Sequence, residues 1–393
     1  MRAKLSELGA VITGNTPSKQ EPKYWASSDI PFIKPDVINQ DGITEVQTAN
    51  DYISEMARSK ARIAEKNVVL VTCIGTIGKI CLTGEECAFN QQINAIIPND
   101  KVLPEYLAYC IYYNRPKLIE LANAPVVPII NKRQFEDFSV NIEESIERQG
   151  SIVTILKEVD RLIYYRQKQL QKLGDLVNAR FIELFGDPIA NPLGWPVKRL
   201  DDISALITNG NTPKGGSDNY VSEGIVFLRS QNVWRNKIDL DDVAFIDATT
   251  HANMAKSSVH DKDILITKTG RINTENSSLG RAALFRGAND SANINGHVYL
   301  VRLDGTTVPE YVVAILTGEP YRRYIRKVCV GGIDKRQINL DQVEDFPIIL
   351  PPMEMQKQFA AFVAQIDKSK SVIQKALDET QLLFDSLMQQ YFL

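Results

Sequence analysis

The chain has 393 residues, of which 44% are hydrophobic and 24% charged, a composition typical of a folded protein with two or three domains. Its formal net charge of −3 argues against a stand-alone DNA-binding domain, which is usually basic, but leaves room for binding through local basic patches. The sequence contains no apolar run long enough to span a membrane and no signal peptide at its N-terminus. We therefore expect a cytoplasmic protein without a membrane partner.

The cysteines and histidines do not predict a metal site. The five cysteines form no C-x-x-C pair, and most lie in apolar runs where cysteine packs as a small hydrophobic residue. The three histidines, His251, His260 and His297, are not spaced to complete a zinc site. We expect no metal ion in this chain.

Short strands and turns dominate the first part of the chain. After a Gly-Asn-Thr-Pro loop at 14–17, the apolar run Val68–Thr72 predicts a buried strand, and Pro104–Tyr113 predicts a helix that starts at a proline. A proline-free segment then runs from Gly150 to Phe185, with apolar residues alternating in steps of three and four. This segment predicts a helix of about 35 residues, roughly 50 Å long.

The same succession returns in the second part of the chain. A Gly-Asn-Thr-Pro loop lies at 210–213, and the pattern predicts a strand at Ile264–Thr267, a helix at Pro309–Leu316 and a second long helix at the C-terminus. Gly14 aligns with Gly210 at a shift of 196 residues, and further pairs follow in order: IPFIKPDVI (30–38) with IVFLRSQNV (225–233), VLVTCIG (69–75) with ILITKTG (264–270), LPEYL (103–107) with VPEYV (308–312), and INKRQFEDFSV (130–140) with INLDQVEDFPI (338–348). These ordered matches indicate a tandem duplication of a domain-sized unit.

The two long helices carry matching apolar seams. The seam residues expected to pair are Leu156, Val159, Ile163, Leu170, Leu173 and Val177 in the first helix and Val363, Ile366, Ile373, Leu377, Phe384 and Leu387 in the second. Either each helix packs on its own domain, or the two helices pack on each other. We favour the second interpretation because a small domain cannot bury the whole seam. Pairing about a local two-fold axis would make the helices antiparallel.

Two inverted domains at a fixed separation suit a bipartite DNA site. The loops that follow the IPFI and IVFL runs differ between the copies, KPDVINQDG at 34–42 and RSQNVWRNK at 229–237, so the two half-sites should differ. Basic side chains read guanine and amide side chains read adenine, which makes Lys34, Asn39, Arg229, Gln231 and Asn232 candidates for base contacts. The alternative is that the amides only cap turns.

Further DNA contacts are expected from basic positions and from the repeated loops. The candidate phosphate-binding residues are Lys79 with its counterpart Arg281, and the pairs Lys132–Arg133 and Lys335–Arg336. Solvated surface charge is the alternative for each of them. The loop residues that complete the candidate set are Asn15, Thr16 and Lys19 in the first copy and Asn211, Thr212 and Lys214 in the second.

Motifs for catalysis are missing from the sequence. CIGTIGK at 73–79 fails as a phosphate-binding loop, because Cys73 stands where the first glycine is required and Ile80 where Ser or Thr is required. There is no NPPY-like or DPPY-like tetrad for base methylation, and the Pro-Asp at 35–36 is not followed by a D/E-x-K nuclease pattern. We predict no catalytic residues, and therefore a recognition protein.

Over nearly its whole length the sequence resembles the specificity subunits of type I restriction-modification enzymes. GNTPSKQEPKYW with DIPFIKPDVI, and GNTPKGGSDNY with GIVFLRS, are similar to the openings of that family's two target-recognition domains. GTIGKI resembles a turn typical of the family, which the second copy replaces with the longer GRINTENSSLGR. PPMEMQKQF at 351–359 resembles the entry into the family's second long helix.

The resemblance implies an α+β fold of two tandem, β-rich target-recognition domains related by a pseudo-two-fold axis, joined and separated by two long helices that form an antiparallel coiled coil. The expected division is 1–144 for the first domain, 145–186 for the central helix, 187–351 for the second domain and 352–393 for the C-terminal helix.

The resemblance also implies partners: double-stranded DNA, two adenine-N6 methyltransferase subunits and motor-nuclease restriction subunits. S-adenosylmethionine, ATP and magnesium would be bound by those subunits and none by this chain. Two rival interpretations remain: a structural adaptor that bridges proteins through its helices without reading DNA, and a fused methyltransferase or nuclease with unfamiliar motifs.

Overall fold

The computed structural model describes residues 1–122, 127–213, 215–274 and 276–393. It divides into two compact units. The first comprises Met1–Lys168 and Gln374–Leu393, and the second comprises Gln169–Ile373. Each unit holds sheets, short helices and parts of both long helices, so the expected α+β class with two homologous β-rich units is confirmed.

The first unit is built from short strands that the chain enters and leaves through Asn, Gly and Pro turns. Its strands are Arg2–Lys4, Gly9–Thr13, Ile30–Ile33, Ile43–Val46, Asp51–Ile53, Ile63–Ala64, Val69–Thr72, Ile80–Thr83, Cys87–Phe89, Ile93–Pro98 and Ser139–Asn141. Its short helices are Leu5–Leu8, Pro104–Tyr113, Arg115–Glu120 and Lys132–Glu136, with 3-10 turns at Pro22–Tyr24 and Glu55–Lys60.

Two sheets of the first unit share an apolar interior. In the five-stranded sheet the order is Gly9–Thr13, Ile93–Pro98, Val69–Thr72, Ile80–Thr83 and Ile43–Val46, and only the last pair is parallel. In the four-stranded sheet, Ile30–Ile33 lies between Asp51–Ile53 and Cys87–Phe89, with Ile63–Ala64 at the edge. The strands Val69–Thr72 and Ile80–Thr83 of the first sheet are buried on both faces, which explains their continuous apolar sequence.

The second unit repeats this plan with additions. Its strands are Val197–Arg199, Ser204–Asn209, Tyr220–Val221, Ile225–Leu228, Val233–Trp234, Lys237–Ile238, Ala244–Ile246, Ser258–Val259, Ile264–Thr267, Thr269–Arg271, Ala282–Leu284, Ala292–Ile294, Val298–Leu303, Val330–Gly331, Lys335–Gln337 and Pro347–Ile349. Its short helices are Ala248–Asn253, Pro309–Thr317, Glu319–Val328 and Leu340–Glu344, with 3-10 turns at Asp201–Ile203, Gly216–Asn219 and Ala255–Ser257.

One main sheet of the second unit matches its counterpart in the first unit except at one edge. The four-stranded sheet Ser204–Asn209, Val298–Leu303, Ile264–Thr267, Ala282–Leu284 corresponds to the first four strands of the five-stranded sheet above. Where the first unit has the parallel strand Ile43–Val46, the second has the hairpin of Val233–Trp234 with Lys237–Ile238. The second unit also has a three-stranded sheet, Thr269–Arg271 with Lys335–Gln337 and Val330–Gly331.

The glycine of each Gly-Asn-Thr-Pro loop has a structural reason. A Cβ on Gly14 would lie 2.1 Å from the Asn90 carbonyl oxygen, and a Cβ on Gly210 would lie 2.1 Å from that of Asn295. Each loop therefore needs glycine because its backbone passes against the residue that directly follows strand Cys87–Phe89 in the first unit and Ala292–Ile294 in the second. The repeated motif is at least partly a folding requirement.

A second repeated pattern, I-N-x-x-Q, caps a short helix in both units. The amide of Gln134 bonds to the Asn131 side chain (2.9 Å), and the Asn131 amide bonds back to the Gln134 side chain (3.0 Å). Asn339 and Gln342 form the same capping box. Lys132 and Arg133 are thus the first residues of a helix, whereas Lys335 and Arg336 lie on a strand before the equivalent helix.

Both long helices are 40 residues in length, Ile146–Phe185 and Met353–Phe392, and each is therefore about 60 Å long. The central helix begins four residues earlier than expected from its apolar pattern, directly after Ser145. A buried glutamine fixes the start of each helix: Gln149 accepts from the Leu103 amide (2.8 Å) and Gln356 from the Val308 amide (3.1 Å). Both amides lie just before a proline that starts a helix.

In each unit the start of one long helix lies against the end of the other. In the first unit, Phe384 and Phe392 share an apolar cluster with Leu156, and the Arg166 guanidinium donates to the Ala376 carbonyl. In the second unit, the ring of Phe359 lies 5.5 Å from Phe181 and 5.7 Å from Phe185. This is the antiparallel pairing expected from the matching seams. Each of the predicted seam residues is buried or half-buried.

Candidate nucleic-acid interface

The first repeated loop lies at a cleft in the first unit. Thr16, Lys19 and Lys34 line this cleft, together with Trp25, Phe32, Asp51 and Gln91. The Thr16 hydroxyl donates to the Gln91 side chain (2.6 Å). Asn15 instead ties two loops together, because its side chain donates to the Lys60 carbonyl and accepts from the Arg62 amide, both at 2.7 Å. Lys19 and Lys34 therefore line the cleft, whereas the side chain of Asn15 is engaged in bonds between two loops.

Lys34 lies at the end of its strand, and its side chain forms an ion pair with a residue of a neighbouring strand. Its ammonium forms an ion pair with Asp51, and that carboxylate raises the pKa of Lys34. Asn39 is exposed five residues further on. The loop between them is held by Lys79, whose ammonium donates to the carbonyls of Pro35 (2.9 Å) and Ile38 (3.0 Å). Lys79 thus has an internal bonding role that the sequence did not indicate.

Lys132 and Arg133 lie apart from that cleft. Lys132 forms an ion pair with Glu136 (3.4 Å), and the Arg133 side chain is 92% exposed. Arg133 lines a shallow depression with Arg2, Lys117 and Glu120. The first unit therefore does not bring all its candidate residues into one surface.

In the second unit, Arg229 occupies the position of Lys34 and is likewise held by a carboxylate. Its Nη2 donates to the Asp242 carbonyl (2.6 Å) and to the Asp242 carboxylate (3.2 Å), and Gln231 donates to the same carboxylate (2.6 Å). Arg229 Nε is buried and has no partner within the described ranges. Arg229 and Gln231 therefore form one polar group around Asp242, with Gln231 exposed to solvent.

Asn232 has a structural role instead of an exposed one. It is 2% exposed, its amide donates to the carbonyls of Asp239 (3.0 Å) and Asp242 (2.8 Å), and its oxygen accepts from the Arg229 amide (2.9 Å). A side chain in this position stabilises the loop and cannot contact a base edge in this conformation. Asn232 thus agrees with the alternative interpretation, in which the amide side chains cap turns. Asn211 and Thr212 are exposed in the second repeated loop, and Lys214 lies outside the described residues.

Arg281 lies in a basic cleft beside the hairpin of the second unit. Its guanidinium carbon is 3.8 Å from the centre of the Trp234 ring, and its Nε donates to the Ser277 carbonyl (3.0 Å). Arg235 and Arg322 line the same cleft. Burial, and then the charge of Arg235, lower the pKa of Arg281. The sequence comparison found Arg281 but missed the two arginines beside it.

Lys335 and Arg336 extend along the three-stranded sheet. Lys335 pairs in register with Arg271, and Arg336 Nε donates to the Gly332 carbonyl (3.1 Å). Arg271 forms an ion pair with Asp334 (3.3 Å). Three basic residues therefore lie on one small sheet, and Ile333 at its turn is 90% exposed.

Neither a metal-binding cluster nor an accessible thiol is found in the described part of the chain. Among the described residues, no three His, Cys, Asp or Glu side chains are placed to hold a metal ion. All five cysteines are buried, and burial raises the pKa of Cys73 and Cys87 to about 12. Such thiols do not supply a thiolate nucleophile at neutral pH. No helix among the described residues is long and apolar enough to cross a membrane.

A duplicated fold with unlike polar loops at equivalent positions defines a two-domain recognition protein. The family model described as "Type I restriction modification DNA specificity domain" matches residues 1–174 and again residues 192–380. The chain therefore belongs to the type I restriction-modification DNA specificity family, whose members are DNA-recognition components.

Individual relatives agree with this assignment. The type I restriction enzyme MjaIX specificity subunit of Methanocaldococcus jannaschii is 25% identical over 410 residues, which cover 98% of this chain and 90% of that protein. The HindI specificity subunit of Haemophilus influenzae is 40% identical over 104 residues, 26% of this chain and 22% of that protein. The S subunit structure from M. genitalium has the same fold, with a TM-score of 0.59 and 13% identity over 100% of this chain and 96% of that one.

Proposed function

We propose that this chain selects the target of a type I restriction-modification complex by reading an asymmetric, bipartite DNA site, one half-site with each unit. The observation that carries the proposal is a pair of unlike groups at equivalent positions. The first unit presents Lys34 held by Asp51, and the second presents Arg229 and Gln231 held by Asp242. Different donors at the same place in two copies of one fold favour different half-sites.

The carboxylates at these positions support base reading because they orient the donors. An arginine held in one rotamer loses less freedom when it binds, and its planar fork suits the two acceptors of guanine. Nη2 of Arg229 is bonded to Asp242 and its Nε is buried, so Nη1 is the nitrogen of this guanidinium left to meet a base. The proposed base-reading set is Lys34, Asn39, Arg229 and Gln231, and it leaves out the buried Asn232. The exposed Lys19, Arg133, Asn211, Thr212 and Lys335 remain candidates for backbone contacts.

The long helices are the proposed link to the other subunits. We infer the division at 1–144, 145–186, 187–351 and 352–393, with the two helices serving as spacer and docking surface. Two adenine-N6 methyltransferase subunits and restriction subunits would join this chain in the cytoplasm. S-adenosylmethionine, ATP and magnesium would bind to those subunits, so this chain would be a non-catalytic member of the enzyme. Its net charge of −3 is consistent with partners that supply part of the phosphate contact.

The proposal is tested by selection from a pool of randomised duplexes by the full chain together with its methyltransferase partner. Enrichment of two unlike sequence blocks at a fixed spacing is the expected result. A pool that shows no enrichment would favour the adaptor interpretation. Methyl transfer or cleavage by the chain on its own would favour the enzyme interpretation.

A further inference from the structure

The cleft beside Trp234 concentrates positive charge at one place in the second unit. Arg235, Arg281 and Arg322 line it from three separate elements: the hairpin turn, the segment before strand Ala282–Leu284, and helix Glu319–Val328. Lys237 also lines the cleft but is already paired with Asp239 (3.6 Å). Arg322 is paired with Glu319 (3.2 Å), so the positive charges left to repel each other across the cleft are chiefly those of Arg235 and Arg281.

Arg281 and the turn that carries Arg235 are held in place by contacts that leave guanidinium donors available. Arg281 is 8% exposed, and its guanidinium stacks on Trp234 while two of its nitrogens donate to the carbonyls of Ser277 and Asn276. Arg235 sits in the two-residue turn of the hairpin. Its neighbour Asn236, at φ 54°, fixes that turn through the Ala282 carbonyl (2.9 Å) and the Thr317 hydroxyl (3.2 Å). A rigid turn therefore presents Arg235 to the cleft.

The electrostatics of the cleft favour an anion. Partial burial, and then the charge of Arg322, lower the pKa of Arg235, and burial and then Arg235 lower that of Arg281. In the described ranges, the Arg235 side chain makes no hydrogen bond or ion pair. An anion with several acceptor oxygens would relieve the repulsion and accept hydrogen bonds from more than one guanidinium.

The first unit has no equivalent cleft among its described residues. Lys79, the counterpart of Arg281, donates to the Pro35 and Ile38 carbonyls. Arg115, which starts the equivalent helix, donates to the Gln40 carbonyl (2.8 Å) and pairs with Asp41 (3.5 Å). In the first unit the basic side chains of this region are thus bonded to nearby groups of the protein. In the second unit the equivalent region is a positively charged cleft.

We propose that Arg235 and Arg281 bind one phosphodiester of the DNA backbone in this cleft, next to the half-site that the second unit reads. The cleft shares the segment 229–239 with the base-reading loop, so a bound phosphate would fix the register of Arg229 and Gln231 on the duplex. This inference rests on the proposed function for its ligand, but it can fail while the proposed function stands.

The first test measures the salt dependence of binding to a random-sequence duplex. The full chain with its methyltransferase partner is compared with the same complex carrying Arg235→Ala, and a melting curve checks that the exposed substitution leaves the fold intact. We expect the slope of log affinity against log salt to fall by about 0.9, the value for one lost phosphate contact. Arg323→Ala is the matched control: it removes the same charge from a neighbouring, 62% exposed side chain that does not line the cleft.

The second test places single neutral methylphosphonates along the selected duplex. For the wild-type complex we expect one sensitive position close to the half-site that Arg229→Ala alters, and no sensitivity there for Arg235→Ala. An unchanged salt slope for Arg235→Ala, or an equal fall for Arg323→Ala, would overturn the inference. A wild-type complex that enriches no sequence would instead refute the proposed function, and the salt test with random DNA would still decide for or against the phosphate contact.

Discussion

The ring of Phe392 lies 5.2 Å from the ring of Tyr106, in the core of the first unit. Its equivalent in the repeat, Phe185, lies 5.0 Å from Tyr311 in the second unit. In both places the end of a long helix fills the core formed by a short helix that starts at a proline. The last part of the C-terminal helix, from Gln374, therefore completes the first unit, although more than 200 residues separate it from Lys168 in sequence.

Phe392→Ala should destabilise the first unit. Phe392 is 2% exposed, and replacing a buried phenylalanine with alanine costs about 3–5 kcal/mol through lost burial and a cavity. Denaturant unfolding of the full chain measures this change. Leu393→Ala, at a side chain with 75% exposure, is the control and should change stability by less than about 0.5 kcal/mol. Equal stability of the two variants would contradict the packing described here.

Asp160 should make stability depend on pH. Burial raises the pKa of Asp160, although the Tyr109 hydroxyl donates to its carboxylate (2.5 Å). The folded state then binds more protons than the unfolded state above the ordinary pKa of aspartate. The resulting stability is present at low pH and is lost as pH rises through the window between the two pKa values.

Asp160→Asn should therefore lose less stability than wild type between pH 4 and pH 7, as measured by urea unfolding at each pH. The asparagine keeps an acceptor for Tyr109 and carries no charge to be desolvated. Asp175→Asn, on an exposed part of the same helix, serves as the control. A wild-type curve that parallels the Asp160→Asn curve would exclude the predicted contribution of this carboxyl.

Arg229→Ala should relax selectivity at one position of one half-site. Discrimination there should fall by about 1–3 kcal/mol, the value of a bidentate base contact. Affinities for a panel of single-base variants of the selected site provide the measurement. Lys34→Ala is the counterpart in the first unit and should alter the other half-site. If Arg229→Ala weakens every sequence alike, Arg229 contacts phosphate and does not read a base.

Lengthening both long helices should change the spacer and leave the half-sites alone. Four residues inserted after Lys168 and four after Ile373, at the division between the two units, add about 6 Å to each helix. This length corresponds to roughly two base pairs at 3.4 Å per step. Repeating the selection experiment with this variant measures the spacer. A spacer that stays the same would show that the helices do not set the separation of the half-sites.

The sequence predicted the elements whose signals are local. Ile264–Thr267 is a strand with the expected bounds, and Pro104–Tyr113 is a helix with the expected bounds. A continuous apolar run and a proline at a helix start carry their information within a few residues. The duplication could be found because equivalent glycines, Gly14 and Gly210, must be glycine for the same steric reason.

The parts that escaped prediction depend on contacts between distant residues. The turn roles of Lys79 and Asn232 follow from carbonyls that only the folded loop brings close. The seam pattern did not distinguish helix pairing from the insertion of Phe185 into a core. Arg322 could have been noticed, because RRYIRK at 322–327 places basic residues around a buried Ile325, but its approach to Arg235 needs the hairpin.

The proposed function depends on the selection of an asymmetric site with two unlike halves by this chain. The most direct measurement is to map methylated adenines in the genome of cells that express this chain with its methyltransferase partner, and in cells that express the partner alone. We predict methylation at two different sequence blocks with a fixed spacer, only when the chain is present. The same adenines methylated without the chain, or a single uninterrupted or symmetric motif in its presence, would contradict the account.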